Sequence, residues 1–185
     1  ALKRPFHLLR LYLAKNYAKL YPRDLFIGVS GSVGKTTVVA AAALVLSQKF
    51  KTLATTPNLD PVLNIPITIL KLNPSYQKAI FEMGIEYPGE MDFYLSLIRP
   101  KTVIFTRVAF THSEYLGGIN EILEEKGKLI DQLEEDGVAI LNYDDANCKK
   151  LSSRCKGSIV YYGTDPKNCT VWAGNIRIEN WQTIF

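Results

Sequence analysis

The sequence predicts an α/β fold: a three-layer phosphate-loop domain whose mostly parallel sheet is flanked by helices, followed by the start of a small antiparallel segment. Three observations predict it. Short apolar runs alternate with helix-like stretches along most of the 185 residues. The stretch Phe26-Ile27-Gly28-Val29-Ser30-Gly31-Ser32-Val33-Gly34-Lys35-Thr36-Thr37 reads as buried strand, glycine-rich turn and helix start in direct succession. At 47% hydrophobic, the chain can fill one substantial core.

Residues 1–23 carry Leu2, Phe6, Leu9, Leu13 and Leu20 near helical spacing, and Lys3, Arg4, Arg10, Lys15, Lys19 and Arg23 fill much of the remainder. They form an N-terminal basic amphipathic helix or linker ahead of a main domain over 24–185. A helix packed on that domain, or a linker, is favoured over one lying on a membrane surface. Pro22 ends it, and the first strand starts near Leu25. The alanine-rich stretch 38–46 continues the helix after the glycine turn, and 51–55 is a short second strand. Turn formers fill 55–61, and 65–72 is helical with Pro66 near its first turn. A third strand over 77–83 is followed by a helix over 88–98 and a fourth strand over 102–106. The charged stretch 114–135 reads as one long helix. Then come a fifth strand over 137–142, a helix over 144–154 and a sixth strand over 158–163. Residues 170–178 read as a strand of a different, antiparallel part. Strands alternating with helices make a parallel sheet covered on both faces, with ligands beyond the carboxyl ends of the strands.

The totals narrow the class. A net charge of +4 suits an anionic small-molecule ligand and is too weak to argue for nucleic acid. Cys148, Cys155 and Cys169 are odd in number and lack C-x-x-C spacing, which argues against zinc and disulfides and for the reducing cytoplasm. No apolar run is long enough to span a bilayer and no signal-peptide pattern is present, so a soluble piece is expected. Opening at Ala1 and closing at Phe185 inside a strand-like segment, the chain reads as part of a longer protein.

The glycine turn carries the chemistry. Gly31 and Gly34 let successive backbone N–H groups curl around an anion, and the helix that follows adds the positive end of its dipole. Gly31, Ser32, Val33, Gly34, Lys35, Thr36 and Thr37 are the expected nucleotide contacts, with Lys35 reaching the β- and γ-phosphates and the Thr36 hydroxyl placed for Mg2+. Val29 stands where the longer phosphate-loop pattern has glycine. Glu82, at the carboxyl end of the third strand, is either a second Mg2+ ligand or a solvated strand-end carboxylate. His112, just past the fourth strand, is a metal ligand, or else structural or merely exposed. His7 has no such context. By composition Lys126, inside Glu124-Glu125-Lys126-Gly127-Lys128, is one charge on a solvated helix face. Asn142-Tyr143-Asp144-Asp145 is either a polar sheet edge or an Asx turn capping a helix. A GTPase would need N-K-x-D and a nucleotide kinase an arginine-rich lid; neither is present. The residues alone lead to an ATP-type domain with Mg2+.

The glycine turn, Pro57-Asn58-Leu59 leading to Ile65-Pro66-Ile67-Thr68-Ile69-Leu70, Phe81-Glu82-Met83-Gly84 with Pro88-Gly89-Glu90-Met91, Thr111-His112-Ser113-Glu114-Tyr115-Leu116-Gly117 to Lys126-Gly127-Lys128-Leu129, and Ile140-Leu141-Asn142-Tyr143-Asp144-Asp145 together resemble the central ATP-binding domain of the Mur ligases over about residues 25 to 178. The likeness is greatest to the branch that adds D-Ala-D-Ala. It implies an ATP-dependent carboxylate–amine ligase of peptidoglycan synthesis, joining D-Ala-D-Ala to a UDP-linked muramoyl peptide through an acyl phosphate. It implies that Thr36 and Glu82 hold one Mg2+, that His112 and a carbamylated Lys126 support a second, and that Asn58 faces nucleotide or substrate. Asn64 departs from the glycine usual in the family. The family's UDP-binding N-terminal domain and amine-binding C-terminal domain lie outside these residues, and the resemblance implies that ligation needs both. Two other readings stand beside it: a non-catalytic ATP and Mg2+ module, and a folylpolyglutamate- or cyanophycin-type ligase with another substrate.

Overall fold

A computed structural model describes residues 3–110, 113–179 and 182–184. Helix α1 (Lys3–Ala18) leads through a single 3-10 turn at Arg23–Leu25 into strand β1 (Phe26–Ser30). There follow α2 (Lys35–Ser47), β2 (Thr52–Ala54), α3 (Pro61–Leu70), β3 (Lys78–Glu82), α4 (Glu90–Leu97) and β4 (Thr102–Phe105). After these come α5 (Ser113–Leu116), α6 (Ile119–Asp131), β5 (Val138–Asn142), α7 (Ala146–Ser152), β6 (Ser158–Gly163) and β7 (Val171–Trp172). A hairpin, β8 (Arg177–Glu179) and β9 (Gln182–Ile184), ends the described chain.

Seven strands form one parallel sheet in the order β2-β3-β1-β4-β5-β6-β7. Strand β1 lies inside the sheet, third in that order, because the chain first crosses to β2 and β3 on one side and later to β4 on the other. Right-handed crossovers then put the helices on opposite faces. One face carries α2 over Ile27, Val29 and Ile80, while the main core gathers on the other around Phe81, Met91, Phe105, Leu129 and Leu141. The centre of the sheet is buried on both faces, and β1 is accordingly buried throughout, apolar from Phe26 to Val29 rather than alternating.

Several boundaries differ from the sequence expectation for identifiable reasons. Helix α3 starts at Pro61, capped by Asp60, whose Oδ1 accepts from Val62 N at 2.8 Å; Pro66 lies inside the helix, not in its first turn. The long charged helix is two, broken at Gly117, which adopts φ 87°, a left-handed conformation that ends a helix. Val171–Trp172 pairs in parallel with β6, so the antiparallel part is confined to β8 and β9. Helix α1 packs on α3 and α4 through Ala14, Tyr17 and Ala18, with the Tyr17 hydroxyl donating to Leu72 O at 2.8 Å. Its larger apolar side chains Phe6, Leu9 and Leu13 face outward, because small alanines let the helix backbone approach the domain.

Candidate nucleotide and metal site

The site lies at the carboxyl ends of β1, β3 and β4. Strand β1 delivers the chain into a turn at 31–34, where Gly31 has φ 140° and Gly34 has φ 81°. Both values favour glycine, and a Cβ on Gly31 would collide with the Thr106 hydroxyl. No side chain caps α2, whose first-turn N–H groups face the turn. Residues 106–109 tie the turn down. Ser32 N donates to Arg107 O at 2.6 Å, the Ser32 hydroxyl to Ala109 O at 2.8 Å, and the Thr106 hydroxyl to Val33 O at 2.7 Å.

Lys35 runs across Gly84, where a Cβ would fall 2.9 Å from its Cε; Lys35 Nζ lies 3.4 Å from Ser32 O. In the parallel register Val29 is paired with Glu82, so β3 ends beside the turn. The Thr36 hydroxyl donates to Glu82 Oε2 at 2.8 Å, and Glu82 N is held by the Thr55 hydroxyl at 3.0 Å. A hydroxyl and a carboxylate are hard oxygen donors of the kind Mg2+ takes. Among the described residues there is no cluster of three or more His, Cys, Asp or Glu that would hold a metal by itself. Two protein oxygens, completed by phosphate and water, fit Mg2+ and its preference for keeping a partly non-protein shell.

Lys126 is not on a solvated face. It is 2% exposed, and its Nζ donates to Gly31 O at 3.0 Å from beneath the turn. Ile122, Glu125, Lys126, Leu129 and Ile130 share the inward face of α6. Its neighbour Glu125 fixes the start of α4, accepting from Gly89 N at 2.9 Å and Met91 N at 3.0 Å. Burial, and then the charge of Lys35, lower the Lys126 ammonium to a pKa of about 7. The turn thus meets one cation at its mouth and another, readily deprotonated, at its back.

Residues 29–185 match the family described as Mur ligase middle domain. The chain belongs to the Mur ligase family. It is 32% identical over 160 residues to the UDP-N-acetylmuramoyl-tripeptide–D-alanyl-D-alanine ligase of Escherichia coli K12, covering 86% of this chain and 35% of that protein. It superposes with a TM-score of 0.81 at 25% identity on the UDP-N-acetylmuramoylalanyl-D-glutamyl-2,6-diaminopimelate–D-alanyl-D-alanyl ligase of Acinetobacter baumannii, covering 93% of this chain and 37% of that one. A MurF ligase from Thermotoga maritima, solved in complex with ADP, shares the fold with a TM-score of 0.75 at 24% identity, over 85% of this chain and 36% of that one. The chain therefore spans about a third of the length of these relatives.

In this Mur ligase domain the geometry brings Lys35, Thr36, Glu82 and Lys126 to the 31–34 turn. His112 lies outside the described residues. Asn58 sits in the loop after β2, exposed and in a left-handed conformation with φ 60°. Asn142 lies at the polar sheet edge, donating to Thr106 O at 2.8 Å and accepting from Asp144 N at 2.9 Å in an Asx turn, while the cap of α7 is Asp145, whose Oδ1 accepts from Cys148 N at 2.8 Å. Sequence reasoning passed over Thr106 and treated Asn64 only as a departure. Buried Asn64 straps that same loop, donating to Thr56 O at 2.7 Å and Leu59 O at 3.3 Å while accepting from Thr56 N at 3.2 Å. Its signal was an amide amid the apolar run before Ile65-Pro66.

Proposed function

We propose that this chain is the ATP-handling core of a carboxylate–amine ligase of peptidoglycan precursor synthesis, working in the cytoplasm. The carboxyl substrate would be a UDP-linked muramoyl peptide and the amine D-Ala-D-Ala, as the names of its relatives state for them. The observation that carries the reading is the convergence of Lys35, the Thr36–Glu82 pair and buried Lys126 on one glycine turn. Such ligations activate the carboxylate as an acyl phosphate, which the amine then attacks with release of inorganic phosphate.

Each residue has a task in that chemistry. The N–H groups of 32–36 and the start of α2 would cradle the phosphates, and Lys35 would neutralise charge on the transferring phosphoryl group. Thr36 and Glu82 would hold Mg2+, which supplies charge neutralisation and alignment of the phosphates. A pKa of about 7 leaves about half of Lys126 as free amine at neutral pH. That form can take up carbon dioxide and lose a proton to become a carbamate, an anion fit to support a second Mg2+ together with His112. Asn58 would contact nucleotide or substrate. The first test is calorimetric titration with Mg2+-ATP and Mg2+-GTP. Binding of Mg2+-ATP is the expected result, and absence of binding by either nucleotide overturns the reading.

A further inference from the structure

Helix α1 packs on the domain with one face only. Ala14 and Ala18 are buried there, while Phe6, Leu8, Leu9, Tyr12, Leu13 and, just past the helix, Leu20 are 47% to 75% exposed. Phe6, Leu9, Leu13 and Leu20 repeat at three, four and seven residues, which sets them in a second apolar stripe on the outside of the helix. A single exposed leucine is ordinary. Six large apolar side chains on one helix and its exit form a patch of the kind that marks an interaction surface.

Charge is segregated to the same place. Residues 1–23 hold six of the chain's 22 basic residues and none of its 18 acidic ones, which leaves 16 basic against 18 acidic over 24–185. The whole positive excess therefore sits in this segment, and Lys15 and Lys19 are exposed among the apolar side chains. Arg10 lines a groove of about 400 Å3 with Phe6, His7 and Leu63, and its Nε is buried without an acceptor among the described residues. Buried N–H groups ordinarily have one, and a phosphate suits an arginine well. At the far end of the helix, Leu20 leads into a groove of about 540 Å3 lined by Tyr17, Tyr21, Pro22, Leu25 and Tyr76. Two more lysines stand at its rim. Lys51 Nζ lies 5.2 Å from the centre of the Tyr76 ring, and Lys78 Nζ donates at 2.8 Å to the carbonyl oxygen of Asp24, whose carboxylate is the single acid of the lining. Tyrosines with apolar rings and polar tips, and lysines on long stems, suit the boundary between hydrocarbon and water. A second copy of this chain fits poorly, because pairing two such stripes would bring two basic helices together. No described helix is long and apolar enough to cross a bilayer, so the surface would lie on one.

We propose that the outer face of α1, with the tyrosine-lined groove at its end, docks this protein on an anionic phospholipid surface. The groove lies at the amino ends of β1 and β3, because Leu25 directly precedes the first and Gln77 the second. The glycine turn is at their carboxyl ends, so the nucleotide site faces solution while the helix is docked. The test is flotation with unilamellar vesicles of phosphatidylcholine, with and without phosphatidylglycerol, at low and at high salt. The 185-residue chain is expected to float with the anionic vesicles and not with the neutral ones, and high salt should weaken the binding. Leu9→Ser with Leu13→Ser, and separately Lys15→Gln with Lys19→Gln, should each weaken it about tenfold or more. These side chains point away from the core, so the unfolding temperature and Mg2+-ATP affinity should hold. No flotation, equal flotation with neutral vesicles, or binding indifferent to both pairs of substitutions would overturn the proposal. A dimer that Leu9→Ser with Leu13→Ser abolishes, in a chain that does not float, would overturn it in favour of a second copy. The chain spans about a third of the length of its relatives, so the flotation is repeated with the complete natural protein. Loss of vesicle binding there would overturn the proposal by giving this face to another part of that protein.

Discussion

The glycine turn and helix α6 meet at one atom, the carbonyl oxygen of Gly31, and they arrive there under opposite physical regimes. The turn is local. Its shape comes from two glycines, its backbone is tied by residues 106–109, and its cation, Lys35, stays partly open to solvent. Helix α6 is brought in by packing across 95 residues of sequence, and its cation, Lys126, is almost wholly desolvated. The difference teaches how one small site can hold two lysines. Solvent and an incoming anion stabilise the first as a permanent charge. The second lies where loss of its proton relieves both desolvation and repulsion from Lys35.

The largest effect should come from removing the permanent charge. Lys35→Ala is expected to weaken Mg2+-ATP binding about a thousandfold or more, roughly 4 kcal/mol, because the phosphates lose the mobile cation at the mouth of the turn. Calorimetry reads this directly, and an affinity within tenfold of the parent chain would mean that the turn does not hold the phosphates through Lys35.

Next in size is a stability change at Lys126. Its folded pKa, about 7, lies below the unfolded value of 10.5, so the unfolded chain binds the extra proton between those limits. Stability then rises with pH across that window, and the burial penalty is fully present below pH 7. Lys126→Met abolishes the penalty. In buffer free of carbon dioxide, its stability advantage over the parent should grow by about 3 kcal/mol as pH falls from 10 to 7. Chemical denaturation at several pH values measures it. A difference that does not change with pH would show that Lys126 is solvated.

These two regions also mark how far the sequence could be read. The turn was legible because the residues that shape it are contiguous, an apolar strand, two glycines and a lysine at the start of a helix, whereas its ties to residues 106–109 were not. Glu82 followed, since a parallel strand ending beside β1 delivers its last residue to the same edge. The residues of Lys126 gave the opposite impression, because a run of five with four charges reads as a wet surface, and only the family likeness marked it. A physical signal was present all the same. Ile122, Lys126 and Leu129–Ile130 repeat at four, three and four residues, which sets the lysine in an apolar helical stripe. Gly117-Gly118 likewise announced the break that splits the charged helix. Val171–Trp172 is too short to carry any periodicity, and its parallel pairing is decided by the edge β6 offers.

Asn64 tests whether the loop opposite the turn is built by strapping alone. Asn64→Gly, the residue usual at this place in the family resemblance, removes three bonds to Thr56 and Leu59 together with the one its Oδ1 accepts from the Thr68 hydroxyl at 3.2 Å. The variant should lose about 2 kcal/mol of stability. The phosphate contacts of the turn should be kept, since none of these atoms belongs to it, and any loss of nucleotide affinity would report on Asn58. Unchanged stability on denaturation would mean that ordered water replaces the amide.

The smallest effect separates metal from phosphate. The Thr36 hydroxyl donates to Glu82 Oε2, so the pair can open to admit Mg2+ between them or can simply brace α2 against β3. Thr36→Val keeps the side-chain volume and removes the oxygen. If the pair holds the metal, Mg2+-ATP should bind about tenfold more weakly, about 1.4 kcal/mol, while ATP in EDTA binds the variant and the parent alike. A bracing role predicts another pattern: the same loss with and without Mg2+, and a lower unfolding temperature. Glu82→Gln discriminates further, because the amide still accepts from Thr36 but no longer brings a charge. Retention of Mg2+ dependence in Glu82→Gln would assign the metal to Thr36 and water alone; its loss would make the carboxylate the deciding ligand.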